Sequence, residues 1–174
     1  MATTMSENVQ AGDLGVFYEC IYRAYPDATP EQVLFAQQMV EDGVLTTEIL
    51  HEKAIEMSNP DLTRKSAVGY DFDDESDAKK ATTIECLERR GGGKWSHRRV
   101  AVIQGIKKKI GLLRCIVAET KTSELYFFAI PYDEYEGLSK LCIYFNWDGT
   151  PKPDGKWFEF ACENYEEMAN AINI

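Results

Sequence analysis

Three stretches, 99–106, 112–118 and 125–130, are dense in Val, Ile, Leu, Tyr and Phe and are separated only by short polar breaks. Each is too short for a buried helix, and β-branched and aromatic side chains suit a pleated, half-buried surface. Consecutive runs of this kind oblige the chain to form a sheet. A turn is expected at 120–123, between the last two runs. Further strands are expected at 141–145 and 157–161, with a short helical piece around 133–140.

The first third is patterned differently. Residues 14–25 space their apolar side chains at helical intervals, and Pro26 closes the segment. Thr29-Pro30-Glu31 carries the signature of a helix start, with Thr as N-cap and Pro in the first turn. That helix should run through Glu41 and end near Gly43. Thr46 or Thr47 caps a third helix over 47–58, stopped by Asn59-Pro60, and Asn164 caps a terminal helix over 164–172. The expected class is α+β: N-terminal helices, then a mainly antiparallel or mixed sheet with a C-terminal helix. At 174 residues the chain suits one domain, with a helical part over 1–62 and a β-rich part over 63–174.

No stretch approaches the roughly 20 apolar residues that span a bilayer, and mean hydropathy is −0.36. The opening residues are polar and lack an apolar run, so neither a membrane partner nor a secretory leader is expected. Cys20, Cys86, Cys115, Cys142 and Cys162 are odd in number and widely spaced, with no CxxC pair or Cys/His cluster. That pattern argues against structural zinc and for reduced, mostly buried thiols in a cytoplasmic setting.

Two extended runs, 68–72 and 78–87, flank the acidic turn Asp73-Asp74-Glu75-Ser76, which predicts a hairpin. Asp77 and Lys79 are two residues apart, so on a strand they project to one face. Asp71 leaves the preceding strand just before the turn, near Asp77. Converging carboxylates repel unless a cation lies between them. Mg²⁺ suits such a site, needing one or two carboxylates beside water and phosphate oxygens, with Mn²⁺ as a substitute. The metal would polarise a scissile phosphate and lower the pKa of the attacking water. Lys79 would orient that water or stabilise charge on phosphorus. The competing reading is a plain solvated turn, since Asp and Ser favour turns. A calcium loop fits less well, because Ser76 stands where Gly is required and Thr82 where Glu is.

The string Gly69-Tyr70-Asp71 with Ser76-Asp77-Ala78-Lys79 resembles the core of the PD-(D/E)XK nuclease superfamily, of restriction, repair and homing endonucleases. The similarity, to small restriction or phage homing enzymes in particular, extends over about 65–160. It implies a restriction-endonuclease-like fold and DNA hydrolysis in a bacterial or phage-infected cell. It makes Asp71, Asp77 and Lys79 catalytic, and Asp71, Asp77 and Ala78 the metal ligands. Pro60-Asp61 offers another first aspartate, but Asn-Pro-Asp after a helix is ordinary turn chemistry. A second Glu-x-Lys, Glu119-Thr120-Lys121, sits where a hairpin turn is expected and reads as structural. The superfamily often adds a glutamate from a preceding helix. Glu48, Glu52 and Glu56 share one helix face, and Glu52 or Glu56 is the candidate. His51 reads as a packing or surface residue.

A net charge of −10 argues against a polyanionic partner. Nine cations and no acid lie between Arg89 and Arg114, however, leaving −19 on the rest of the chain. Screening acts over ~8 Å at physiological salt, so a local basic face still attracts DNA. Lys94, Trp95, His97, Arg98 and Arg99, after Gly91-Gly92-Gly93, form one expected DNA contact, and Lys107, Lys108 and Lys109 a second. The sequence therefore predicts a Mg²⁺-dependent, site-selective endonuclease of double-stranded DNA. Homodimers or higher oligomers are expected, one active site serving each strand. The alternative is a non-catalytic protein-binding or inhibitory module. An RNA-processing nuclease with the same chemistry is a third reading.

Overall fold

The computed structural model describes residues 5–65, 71–106 and 111–172. Three helices lead: α1 (Met5–Ala24), α2 (Pro30–Glu41) and α3 (Thr47–Ser58). The Thr29 hydroxyl accepts the Gln32 N–H at 3.2 Å, and the Gln32 side chain accepts the Thr29 N–H at 2.9 Å. This reciprocal capping box fixes the start of α2. Thr46 precedes α3 but makes no capping bond with its side chain.

Six strands follow: β1 (Asp77–Arg90), β2 (Lys94–Ile103), β3 (Leu112–Glu119), β4 (Glu124–Pro131), β5 (Leu141–Phe145) and β6 (Ala161–Cys162). Helix α4 (Tyr132–Tyr135) follows β4, and α5 (Tyr165–Asn170) closes the chain, capped by Asn164 accepting the Glu167 N–H at 2.8 Å. The sheet order is β5-β2-β1-β3-β4-β6. Neighbours are antiparallel except β1 and β3, which run parallel from Asp77 opposite Leu113 to Thr82 opposite Ala118. The class is α+β with a mixed sheet.

The sheet is curled. Strands β5 and β4 stand four positions apart, about 19 Å in a flat sheet at ordinary strand spacing. Yet the rings of Phe145 on β5 and Tyr126 on β4 lie 5.1 Å apart. The concave side closes over Ala101, Ile103, Leu113, Cys115, Val117 and Phe128, while α1, α3 and α5 pack on Ala78, Ile116 and Ala118 outside. Alternation along β1 therefore sends Ala78 towards the helices and Asp77 and Lys79 to the concave side, where Asp77 adds its field to Cys115 and Tyr135.

Three expected elements differ. Of residues 157–161, 157–160 lie in a 3₁₀ turn, Lys156–Phe160, and only Ala161 is in a strand, β6. Consecutive Trp157 and Phe158 both pack on the concave core, which a strand with its two alternating faces does not allow. The helical piece at 133–140 shrinks to α4, after which Gly137 turns at φ +83°. Of the run 68–72, residues 68–70 lie outside the described residues, and Phe72 makes only an isolated bridge with Arg64. The start of β1 pairs with β3 instead.

Candidate active site

The acidic turn is a tight loop. Asp71 and Phe72 donate their N–H groups to the Ser76 carbonyl at 2.9 and 3.3 Å, and Glu75 donates to the Phe72 carbonyl at 3.0 Å. Glu75 itself sits at φ +62°. Buried Arg114 fastens this loop to the C-terminal helix. Its guanidinium donates to Asp74 Oδ2 at 3.2 Å, to Ser76 Oγ, and to the carbonyls of Met168 at 3.1 Å and Ala171 at 2.8 Å. Burial makes Arg114 harder to charge, and the Asp74 carboxylate offsets part of that cost.

This scaffold brings Asp71, Asp77 and Lys79 together. Asp71 Oδ2 accepts the Ala78 N–H at 2.9 Å. Asp77, only 1 % exposed, lies beside it, with Oδ2 3.3 Å from Lys79 Nζ. That distance makes an ion pair, yet Oδ2 has no well-formed hydrogen bond. Burial, then the hydrogen bond and charge of Asp71, push the Asp77 carboxyl up to about 7 against the pull of Lys79. Lys79 reaches towards Gly105 in the segment after β2. Asp61, the rival first aspartate, lies exposed in an Asx turn, its N–H donating to Asn59 Oδ1 at 3.1 Å.

The two upstream glutamates separate. Glu52 is half-buried, and its carboxyl is raised by burial and then by the charge of Asp71, so it faces the site. It accepts from Arg64 Nη2 at 3.1 Å. Glu56 accepts the Arg64 N–H at 2.9 Å and pairs with Lys53 at 3.2 Å. These bonds lower its carboxyl and hold the chain at Arg64, a structural task.

Among the described residues no group of three or more His, Cys, Asp and Glu gathers to hold a metal. The Asp71–Asp77 pair supplies the two carboxylates that Mg²⁺ requires. The buried, unbonded Asp77 Oδ2 is the atom a cation would satisfy. The donor set is one Mg²⁺ takes beside water, and Asp71 and Asp77 would hold such an ion. Ala78 lies opposite Arg114 in the parallel ladder.

The basic residues have several fates. Lys94, Trp95 and His97 are exposed on β2, and Arg98 leans over the Tyr144 ring at 5.3 Å. Arg99 corrects the expectation: it is buried, with Nε donating to Glu119 Oε1 at 2.8 Å and Nη2 to Thr120 Oγ1 at 2.7 Å. Its charge is spent inside the protein, because a buried guanidinium needs a partner more than a surface does. Lys107, Lys108 and Lys109 lie outside the described residues.

Arg114 escaped the sequence reading, since nothing local marks a buried arginine. His51 packs in the core, Nδ1 2.9 Å from the Tyr165 hydroxyl, with burial pushing the imidazole down to about 4. A separate groove of about 720 Å³ lies among α1, α2 and α3, lined by Ile21, Tyr25, Ala36, Leu45, Ile49 and Met57. All five cysteines are free thiols, and only Cys20 and Cys115 are fully buried. No helix among the described residues is long and apolar enough to cross a membrane. Comparison with known proteins finds no matching family model, curated protein or solved structure.

Proposed function

We propose that the chain is a Mg²⁺-dependent endonuclease that hydrolyses phosphodiester bonds of double-stranded DNA. One observation carries the reading: a buried carboxylate oxygen of Asp77, lacking a hydrogen bond, beside Asp71 and 3.3 Å from Lys79. A buried carboxylate pair beside a lysine suits metal-assisted phosphoryl chemistry better than a solvated turn, where the charges would face water. Bound Mg²⁺ would supply charge stabilisation on phosphate and an acidified water. Asp71 and Asp77 would hold the cation, and Asp71 keeps its geometry through the Ala78 N–H. Lys79, partly open to solvent, places a positive charge beside the reacting phosphate. Two copies would serve the two strands.

Incubation of plasmid DNA with the protein and Mg²⁺ or Mn²⁺ should yield nicked and linear products. Asp77→Ala and Lys79→Ala should each lower the rate by at least a hundredfold, the scale of lost transition-state electrostatics. No cleavage by the wild type, or equal cleavage by both variants, rejects the assignment. A binding module is the second reading, favoured by the exposed Leu34, Phe35 and Val44 around α2.

A further inference from the structure

We infer that the β1–β2 hairpin is a groove-entering arm that grips B-form duplex DNA at a place separate from the hydrolytic centre. The inference takes its polymer from the nuclease reading; its geometry is independent of it.

The two longest strands outrun the sheet. β1 pairs with β3 only from Asp77 to Thr82, and β2 pairs with β5 only from Arg99 to Ile103. From Cys86 opposite Arg98 to Arg90 opposite Lys94 the two strands pair with each other beyond the reach of β3 and β5. Their outer part is a two-stranded ribbon ending in Gly91-Gly92-Gly93, where Gly92 and Gly93 take φ values of +93° and +87°. At about 3.3 Å per residue it reaches roughly 16 Å past the curled core. Isolated ribbons bury little, so a free one of this length calls for a partner.

Its chemistry says which partner. Cross-strand pairing places Leu87 opposite His97 and Arg89 opposite Trp95 on one face. All four are exposed, Trp95 by 59 %. Trp147, edge-on to His97 at 5.1 Å, and Lys121, 5.6 Å from the Trp147 ring, continue that face at the base. No ion pair among the described residues engages Arg89 or Lys94. The acids nearby are committed: Glu85 pairs with Arg99, and Glu88 accepts from Tyr144. The span Arg89 to Arg98 thus carries four cations and no acid on a chain otherwise strongly negative.

A second copy is a poor occupant, because packing two ribbon tips together would bring Arg89 and Lys94 against like charge. A polyphosphate is complementary. The B-form major groove, about 12 Å wide, admits a two-stranded ribbon, whereas the A-form major groove is too narrow to be read. The arm therefore favours duplex DNA over duplex RNA. Asp77 and Arg89 lie on the same side of β1, twelve residues and about 40 Å apart along the strand, close to one turn of B-DNA.

The test is fluorescence-anisotropy titration of the full-length protein with labelled duplex DNA, without divalent metal, across a salt series. Arg89→Ala with Lys94→Ala should lower the slope of log K against log salt by nearly two units. Trp95→Ala should weaken binding about tenfold, and duplex RNA should bind at least tenfold more weakly than DNA. Thermal unfolding should match wild type, because these side chains are exposed. Unchanged affinity and slope in the ribbon variants overturn the inference. So does a loss of self-association without a loss of DNA affinity, which would make the ribbon a protein interface. Ribbon-dependent binding by a wild type that never cleaves leaves the arm standing and removes the nuclease reading.

Discussion

Asp71 Oδ2 accepts the Ala78 N–H at 2.9 Å, which ties the acid before the turn to the backbone between Asp77 and Lys79. Asp71→Asn keeps an acceptor for that bond but removes the charge that helps raise Asp77. The Asp77 carboxyl should then titrate below its wild-type value of about 7. Carbon-13 NMR titration of the side-chain carboxyls in the metal-free protein measures this, and an unmoved Asp77 resonance would contradict the pairing.

Asp77 and His51 give stability opposite pH dependences. Asp77 titrates near 7 when folded against 3.8 when free, so the folded state holds the extra proton between those values. Its contribution is full below 3.8 and is lost as pH rises through 7. His51 titrates near 4 against 6.5, so its contribution is full above 6.5 and is lost as pH falls through 4. The two slopes oppose each other between 4 and 6.5. Asp77→Asn should expose the histidine slope, with Tm falling more steeply on acidification than in wild type. Calorimetry in metal-free buffers across this range decides it, and Mg²⁺ at pH 8 should stabilise wild type more than Asp77→Asn.

Arg114 joins the acidic turn to α5 through Asp74, Ser76, Met168 and Ala171. Arg114→Met keeps the volume but strands two carbonyls and one carboxylate. Loss of about 3–5 kcal/mol is expected, or roughly 10 °C in Tm for a chain of this size. Arg114→Lys should recover only part of it, because an ammonium cannot fork to four acceptors. Urea unfolding checks both.

Gly149, at φ +88°, passes so close to the Glu119–Arg99 pair that an added Cβ would meet Thr122 Cγ2 at 2.7 Å and Glu119 Oε1 at 3.1 Å. Gly149→Ala should cost about 1–3 kcal/mol. Thr122→Ser removes the offending methyl and should return part of that cost, leaving the backbone strain. A double-mutant cycle in urea measures the coupling.

Local chemistry was legible in the residues. The Thr29 cap, the Asn164 cap and the runs at 112–118, 125–130 and 141–145 appear within a few residues of their expected places. Caps and alternation act between neighbours. The proximity of Asp71 to Asp77 followed from the tight spacing around the turn. The preference for Asp71 over Asp61 rested on turn chemistry, and the structure brings Asp71 to the pair.

What only the tertiary structure decided depends on partners distant along the chain. β1 pairs in parallel with a strand 36 residues downstream, from Asp77 to Leu113. Arg99 reads as one more surface cation until Glu119 closes on it in the concave core. The ribbon exists because β3 and β5 stop pairing before β1 and β2 end, a difference in length that no local pattern records. The sequence set the charges and the strand faces; long-range pairing determined which charges are buried and which reach solvent.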